Sequence, residues 1–583
     1  MEKELYGFYA KNILLHDNYV QKIESVQKHG IFSRIWNWKP QKDYLALQLF
    51  REWSIHGVKF IVQPKRHICE RIFWGIAVLC CTGVAGYFSY KVVEKYNSSP
   101  VIVSFQPSQT SVSEVPFPAV TICNVNHFKR SVLEASIRKV QEAARNNADP
   151  KTVEDDVILL KMLDHICDAT QSFSAKFNFS IGDATVDLDA NNKNLEKYWS
   201  QWDKLSVEEL YQPAHMQSLN SANQLCHEMI YLCIWEGVEV ECRESFFPVL
   251  TDLGLCCVWN LMPTRLLLNL NDTDPTMNEE QRNISPEDLE SWKKFNLDDA
   301  LMEKVGRGQK EKFPRRQSKA GQSSGLSLLL YPAIDEYFCA SHDAYGYRIY
   351  AHSPIEIPHV LDFGLAVGPN TEMFINVQAE VTIAEKSLDE LTSEERHCYF
   401  LDEKKLANYL LYTSTNCIDE CIMERTVNAC DCVTFEMYQS TVNKKPYCAN
   451  LTCADNVRKQ IGMKGTKYFC KACYPSCNRI VYDTQTSSLP IRTDVNIWKS
   501  NDPEKRMDWS KQNTSIVHVY FGSDSVLCRV RKRLFGFSEL FANVGGILGL
   551  FIGFSVISVV EPIYYIIRLL TVDDEDAEDE LET

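Results

Sequence analysis

Two apolar runs interrupt a chain that otherwise mixes polar and apolar positions. Ile72 to Tyr90 reads IFWGIAVLCCTGVAGYFSY and carries no formal charge. Its length is close to the ~20 residues that a helix needs to cross a bilayer. Val544 to Val560 reads VGGILGLFIGFSVISVV and continues through Glu561-Pro562 into IYYII, enough for a second crossing. The competing reading of the first run is the core helix of a soluble protein. That of the second is a Gly-rich anchor that only dimerises, because Gly545, Gly546, Gly549, Gly553, Ser555 and Ser558 let helix backbones approach closely. An acid at this depth, Glu561, should face a bundle interior or an aqueous cavity rather than lipid.

Lys65, Arg66 and Arg71 stand just before the first run. Positive charge marks the cytoplasmic flank, so the N-terminus is expected inside. Arg529, Arg531, Lys532 and Arg533 precede the second run against this bias, but the first span usually dominates. Met1 to Val26 is polar and broken by charge, with no apolar signal segment, so the first span itself is expected to lead the middle across. The expected organisation is a cytoplasmic N-terminus over 1–70, a transmembrane helix over 71–93 and an extracellular domain over 94–537. A second transmembrane helix over 538–570 and an acidic cytoplasmic tail over 571–583 complete it, the like-charge run from Asp573 being solvated.

Between the spans the periodicity changes from segment to segment. Glu380 to Ile383 and Ser515 to Phe521 alternate and are rich in β-branched residues, which predicts strands. Arg130 to Arg145 and Glu280 to Lys294 have helical spacing, with Ser285 as N-cap and Pro286 at the first helical position. Met302 to Gly325 is rich in Lys, Arg, Gly, Gln and Ser and predicts a flexible loop. Arg315-Arg316 within it is either a basic cleavage site or simply exposed loop. The middle is thus mixed α and β.

Composition sharpens the compartment. The chain has 22 cysteines, of which only Cys69, Cys80 and Cys81 precede Cys123. Cys80 and Cys81 fall in the first span, where reduced packing residues are expected. A dense framework beyond it implies an oxidising compartment. Asn178, Asn271, Asn283, Asn450 and Asn513 are glycosylation sequons in the same region. A net charge of -16 argues against nucleic acid as partner. No phosphate-binding Gly-rich loop, Gly-x-Ser-x-Gly turn or His-Glu-x-x-His pair is present, so nothing here indicates an enzyme. Cys470-x-x-Cys473 has zinc spacing, although disulfides fit an oxidised domain better.

Several motifs carry a resemblance. They are Pro116-Phe-Pro-Ala-Val-Thr-Ile-Cys123-Asn124, His56-Gly57 before the first span, and Asp252-Leu-Gly-Leu-Cys256-Cys-Val-Trp-Asn260. Gly545-Gly-Ile-Leu-Gly-Leu-Phe-Ile-Gly-Phe-Ser555 and the cysteine ladder from Cys417 to Cys477 complete the set. Together they resemble the degenerin/epithelial sodium channel family, most of all its arthropod pickpocket branch, from His56 to Glu561. The other two-span trimer class, the ATP-gated channels, does not carry these motifs, nor does an adhesion protein with inert anchors need the second span's Ser and Glu.

The resemblance implies a membrane protein of α+β class: two transmembrane helices flank a large disulfide-rich extracellular domain, in a trimer like that of acid-sensing channels. It implies a sodium-selective, amiloride-sensitive, voltage-independent cation channel of the plasma membrane, opened by an extracellular chemical or mechanical stimulus. Sodium is the permeant ion and amiloride the blocker, with no cofactor and no metal. Partners are related channel subunits, in a homo- or heterotrimer, and membrane lipid, with an extracellular ligand left open. The implied selectivity filter is Gly553, Phe554 and Ser555, at a break in the second span, with a bulky Phe554 where the family has a small central residue. The pore and gate are assigned to Ala542, Asn543, Gly546 and Glu561, and N-terminal gating to His56 and Gly57. His56 alone also suits a pH sensor, but the resemblance favours the gating turn. The implied disulfides are Cys123 with Cys256, Cys226 with Cys233, Cys398 with Cys477, Cys417 with Cys473, Cys421 with Cys470, Cys430 with Cys453, and Cys432 with Cys448. Cys167, Cys242, Cys257, Cys339 and Cys528 stay unassigned, and five is odd, so at least one is free or paired between chains.

Overall fold

The computed structural model describes residues 49–63, 66–98, 101–168, 210, 213–269, 285–297, 313–439, 445–449, 451–492, 513–534 and 536–571. Asn178, Asn271, Asn283, Asn450, residues 1–48 and the acidic run from Asp573 lie outside these. The chain divides into two units: Met1–Pro100 with Leu534–Thr583, and Val101–Arg533.

The helices used below are, in chain order, α1 (Ile68–Ser98), α2 (Arg130–Arg145), α3 (Glu154–Asp168), α4 (Pro286–Lys294) and α5 (Val360–Phe363). They continue with α6 (Ser414–Cys430), α7 (Thr452–Lys464), α8 (Phe537–Ile552) and α9 (Ile557–Thr571). The strands are β1 (Val101–Phe105), β2 (Thr110–Ser111), β3 (Ala119–Asn124), β4 (Ile230–Trp235), β5 (Val238–Val240), β6 (Phe246–Thr251), β7 (Gly254–Trp259) and β8 (Leu326–Leu330). After them come β9 (Tyr347–His352), β10 (Leu365–Val367), β11 (Thr371–Ala384), β12 (Arg479–Pro490), β13 (Ser515–Phe521), β14 (Ser525–Val526) and β15 (Arg529–Arg533).

The Val101–Arg533 unit is built on two main sheets. The larger runs β1-β15-β11-β13-β8-β4-β5, with β12 also paired to β11; the smaller runs β10-β9-β3-β7-β6. In β13 the alternation is realised directly: Ser515, Val517, Val519 and Phe521 are all buried, at every second position. β3 is different, because Ala119 through Cys123 are all buried and both its edges are paired, to β9 and β7. That explains why the stretch after Pro116 is apolar without alternation. Phe117, just upstream, stacks edge-on against Trp235, Trp259 and Phe521 with centroids 4.9–5.5 Å apart. Such pairs contribute about 0.5–1.5 kcal/mol each beyond their buried area. Asn260 ends the Cys-Cys-Val-Trp-Asn motif with a positive φ of 61°. Its amide donates to the Phe117 carbonyl at 2.7 Å and accepts from the Arg315 backbone at 2.7 Å. One side chain thereby holds two loops against the core.

A second core lies between α2 and α3. Leu133, Ile137, Val140 and Ala144 recur at helical spacing and pack with Val157, Leu160 and Leu163. α2 spans the residues its periodicity predicts. α4 begins at Pro286 with Ser285 Oγ accepting from Asp288 N at 3.1 Å, as its N-cap signal requires; residues 280–284 of the predicted range lie outside the described residues.

The disulfides depart from the implied set in one place. Six bonds join Cys123–Cys256, Cys398–Cys477, Cys417–Cys473, Cys421–Cys470, Cys430–Cys453 and Cys432–Cys448. The zinc alternative is excluded, since Cys470, Cys473 and Cys477 are all spent in disulfides. Cys226, however, bonds Cys257 rather than Cys233, and Cys233 bonds Cys242. The β4–β5 hairpin folds Cys242 back to 5.5 Å from Cys233, Cα to Cα. Cys256 and Cys257 are neighbours on β7, so their side chains leave opposite faces; one meets Cys123 and the other Cys226. Cys167 bonds Cys339, which leaves Cys528 free and buried, with Thr110 Oγ1 at 3.2 Å from its sulfur.

The described part of the Met302–Gly325 segment is also a correction. Gln317 is fully buried and its amide donates to Lys319 O, Gly321 O and Ser324 Oγ, while its carbonyl oxygen accepts from Phe521 N. Buried Gln317 and Ser324 form an internal scaffold here, while Ser318, Lys319, Gln322 and Ser323 face solvent. Arg315 lies half-buried over the Trp259 and Phe313 rings with both backbone groups bonded, so it is not an open cleavage site.

Candidate functional site

In the unit formed by the chain's two ends, α1 is 31 residues long, about 46 Å at ~1.5 Å per residue. Among the described residues it alone is a single helix long and apolar enough to cross a membrane; α8 with the start of α9 qualifies only as a pair bent by 73°. Phe88 of α1 stacks on Phe551 of α8, centroids 6.1 Å apart.

The bend has a local cause at each side. Gly553 ends α8 in the left-handed region, φ 64°, and its N–H returns to Gly549 O at 3.0 Å. Ser555 lies just before α9: its Oγ accepts from Ser558 N at 3.3 Å, while Ser558 Oγ accepts from Ser555 N at 3.1 Å. This is a capping box made of two serines. Phe554 sits between the stop and the start. Small and hydroxyl residues thus break the helix, rather than only easing its packing.

The segment before α1 lies along this break. His56 N donates to Ile552 O at 3.0 Å. Its ring occupies the space over Gly553, where an added Cβ would come 1.8 Å from Nδ1. Gly57 has φ 89°, and a Cβ there would come 2.7 Å from Val78 of α1. Ser54 N donates to Glu561 Oε2 at 2.9 Å, the Ser54 and Ser558 hydroxyls are 2.6 Å apart, and Trp53 Nε1 donates to Ser558 O at 2.8 Å. Tyr565 OH donates to the Glu52 carboxylate. The structure therefore brings His56, Gly57, Gly553, Ser555 and Glu561 together, with Phe554 inside the break. Ala542, Asn543 and Gly546 lie apart from them, on an exposed stretch of α8. Glu52, Trp53, Ser54 and Tyr565 were not singled out from sequence. Their proximity to a break hundreds of residues away leaves no local trace.

A second concentration of chemistry lies in the Val101–Arg533 unit. Asp252, in the turn between β6 and β7, accepts from Val360 N and Leu361 N and so caps the start of α5. His359, preceding α5, places Nε2 2.9 Å from Asp419 of α6 and Nδ1 3.8 Å from Asp252. Burial alone would lower the His359 pKa, but the Asp419 charge and hydrogen bond, with Asp252 and Asp362, raise it to about 9. Glu356 nearby is pushed up to about 7 by burial and, less, by the Asp419 charge, against the hydrogen bonds of Thr413 and Thr415 and the His359 charge. His352, wholly buried, is pushed down to about 3 and bonds Thr121 Oγ1 at 2.8 Å. His359 is thus a standing cation that ties α6 to the β6–β7 turn.

The protein-family model described as amiloride-sensitive sodium channel matches residues 49–565. The chain belongs to this family. Its members are membrane-bound ion channels, not enzymes. Similar proteins include pickpocket protein 28 of Drosophila melanogaster, 28% identical over 521 residues that cover 88% of this chain and 76% of the relative. The sodium channel protein Nach of the same fly is 25% identical over 519 residues, covering 88% and 85%. Acid-sensing ion channel 4 of Mus musculus is 22% identical over 524 residues, covering 88% and 77%. The family match spans both the broken helix and the disulfide-rich domain.

Proposed function

We propose that this chain is one subunit of a sodium-selective, amiloride-sensitive, voltage-independent channel of the plasma membrane, opened by an extracellular chemical or mechanical stimulus. α1 forms one span and the bent pair α8–α9 the other, with both termini cytoplasmic and the Val101–Arg533 unit outside. Three related subunits, identical or not, surround the pore with their α8 helices.

The observation that carries this reading is the break at Gly553-Phe554-Ser555. Interrupted backbone at membrane depth is tolerated where it lines water or is buried in protein. A selective pore needs oxygens that replace part of the ion's hydration and then release it. In this reading the carbonyls and the Ser555 hydroxyl at the break supply those oxygens. The His56 turn, bonded to Ile552 O, fixes where α8 ends. Glu561, held by Ser54, contributes negative charge on the cytoplasmic side of the break. Ala542, Asn543 and Gly546 lie on the exposed stretch of α8 that faces neighbouring copies in this assembly.

The test is whole-cell current from cells expressing Ala542→Trp, with sodium exchanged for potassium and amiloride added. The expected outcome is a standing sodium-preferring current that amiloride blocks. Surface protein that stays silent, alone and with related subunits, refutes the reading.

A further inference from the structure

Four arginines share one face of the large sheet. Arg479 of β12 and Arg529 of β15 both lie opposite Thr382 of β11, on its two sides. Arg531 lies opposite Ala384 of β11 and Val103 of β1, and Arg533 opposite Val101. Residues in register, and those two apart on a strand, project from the same face. Two of the four are neutralised: Arg529 pairs with Glu380 at 2.9 Å and Arg533 with Glu390 at 3.3 Å.

The other two are not. Among the described residues, neither Arg479 nor Arg531 has an ion pair or a side-chain hydrogen bond, and the Nε of each is shut away from solvent without an acceptor. Both side chains are half-buried. Burial, and then the neighbouring Arg479 charge, push the Arg531 pKa down. Two like charges close enough to repel, partly desolvated and short of acceptors, are unfavourable unless something negative joins them. Guanidinium donors form a planar fork that matches an oxyanion in two-point fashion.

We propose that Arg479 and Arg531 form a binding site for a small oxyanion, a carboxylate or phosphate group, bridging β12 and β15 across β11. The occupant is set by charge complementarity: a cation is repelled, and an apolar group leaves the donors unsatisfied. Binding joins two strands held to opposite sides of β11, and β15 ends at Arg533, just before the chain continues into α8. The site does not depend on the channel reading.

The test uses the purified full-length protein in chloride buffer of fixed ionic strength, free of carboxylates and oxyanions, with inorganic phosphate or acetate added and Tm followed by intrinsic fluorescence. Wild type should gain about 2 °C on saturation with at least one of the two anions. The anion giving the larger gain distinguishes phosphate from carboxylate recognition. Arg531→Gln should lose that gain, yet melt higher than wild type in chloride alone, because it removes the repulsion with Arg479. Arg531→Lys keeps the charge but not the fork and should recover less than half of the gain. Equal gains in wild type and in Arg531→Gln would overturn the proposal. So would the absence of a gain in wild type up to about 50 mM anion, the outcome expected if a neighbouring subunit's carboxylate already fills the site.

Discussion

Replacing His359 by Gln tests the cation that ties α6 to the β6–β7 turn. In the folded protein the ring titrates at about 9, against 6.5 for an unperturbed histidine. At about 1.4 kcal/mol per pH unit that difference is worth about 3 kcal/mol. The side chain is 30% exposed, so solvent screening reduces it to about 2 kcal/mol. A folded pKa raised above the unfolded value gives stability that is fully present below 6.5 and is lost as pH rises through about 9. For a domain of this size about 2 kcal/mol corresponds to about 3 °C in Tm. The assay is thermal unfolding of purified full-length protein, wild type and His359→Gln, at pH 7, 8, 9 and 10. The variant should melt about 3 °C lower at pH 7, and the gap should close towards pH 10 as wild type loses the proton. Gln keeps a donor and most of the volume, so lost packing appears only as a pH-independent offset. A gap that is constant from pH 7 to 10 would show that His359 is neutral in the fold, and the ion-pair reasoning would fail.

The remaining expectations concern three other sites. Glu356 titrates at about 7 in the fold against 4.5 unperturbed, so its contribution is present below pH 4.5 and lost as pH rises through 7; Glu356→Gln should flatten Tm across that window and melt higher than wild type at pH 8. Gly553→Ala puts a Cβ into the His56 ring and also costs about 1 kcal/mol for its left-handed φ, so sodium current per surface channel should fall at least about tenfold. Surface biotinylation with current recording measures it, and a variant conducting like wild type would contradict the placement of His56. Peptide mapping under non-reducing conditions should recover Cys226 linked to Cys257 and Cys233 linked to Cys242, and a Cys226–Cys233 peptide in their place would mean that the hairpin is folded differently.

What sequence reveals here depends on how local the cause is. β13 and α2 are legible because their buried residues recur at the period of the element itself. Ser285-Pro286 marks the start of α4 because capping is a matter of neighbouring residues. Composition misleads for residues 313–325: Gln317 looks like a surface residue, and only the fold shows its amide satisfied by three internal acceptors. At the candidate pore the residues alone suggest only close helix packing and the break comes from the resemblance; the structure shows Gly553 and Ser555 making it with local devices, a left-handed stop and a hydroxyl start. The partners of that break, from Glu52 to His56, become visible only when segments some 500 residues apart meet. The same limit hides His359, which looks like any lone histidine until Asp252 and Asp419 arrive from other segments.

Adjacent cysteines on β7 have a consequence for how the protein is made. Cys256 is tied to β3 and Cys257 to the segment leading into β4, from opposite faces of one strand. A slip of β7 by one residue would exchange the two sulfurs and present each to the wrong side. The pair therefore acts as a checksum on strand alignment: oxidation to the native pattern can be completed only by a chain whose two sheets are already in step. An insertion or deletion of a single residue in β7 should then register not as a small loss of stability but as scrambled thiols and retention in the secretory pathway.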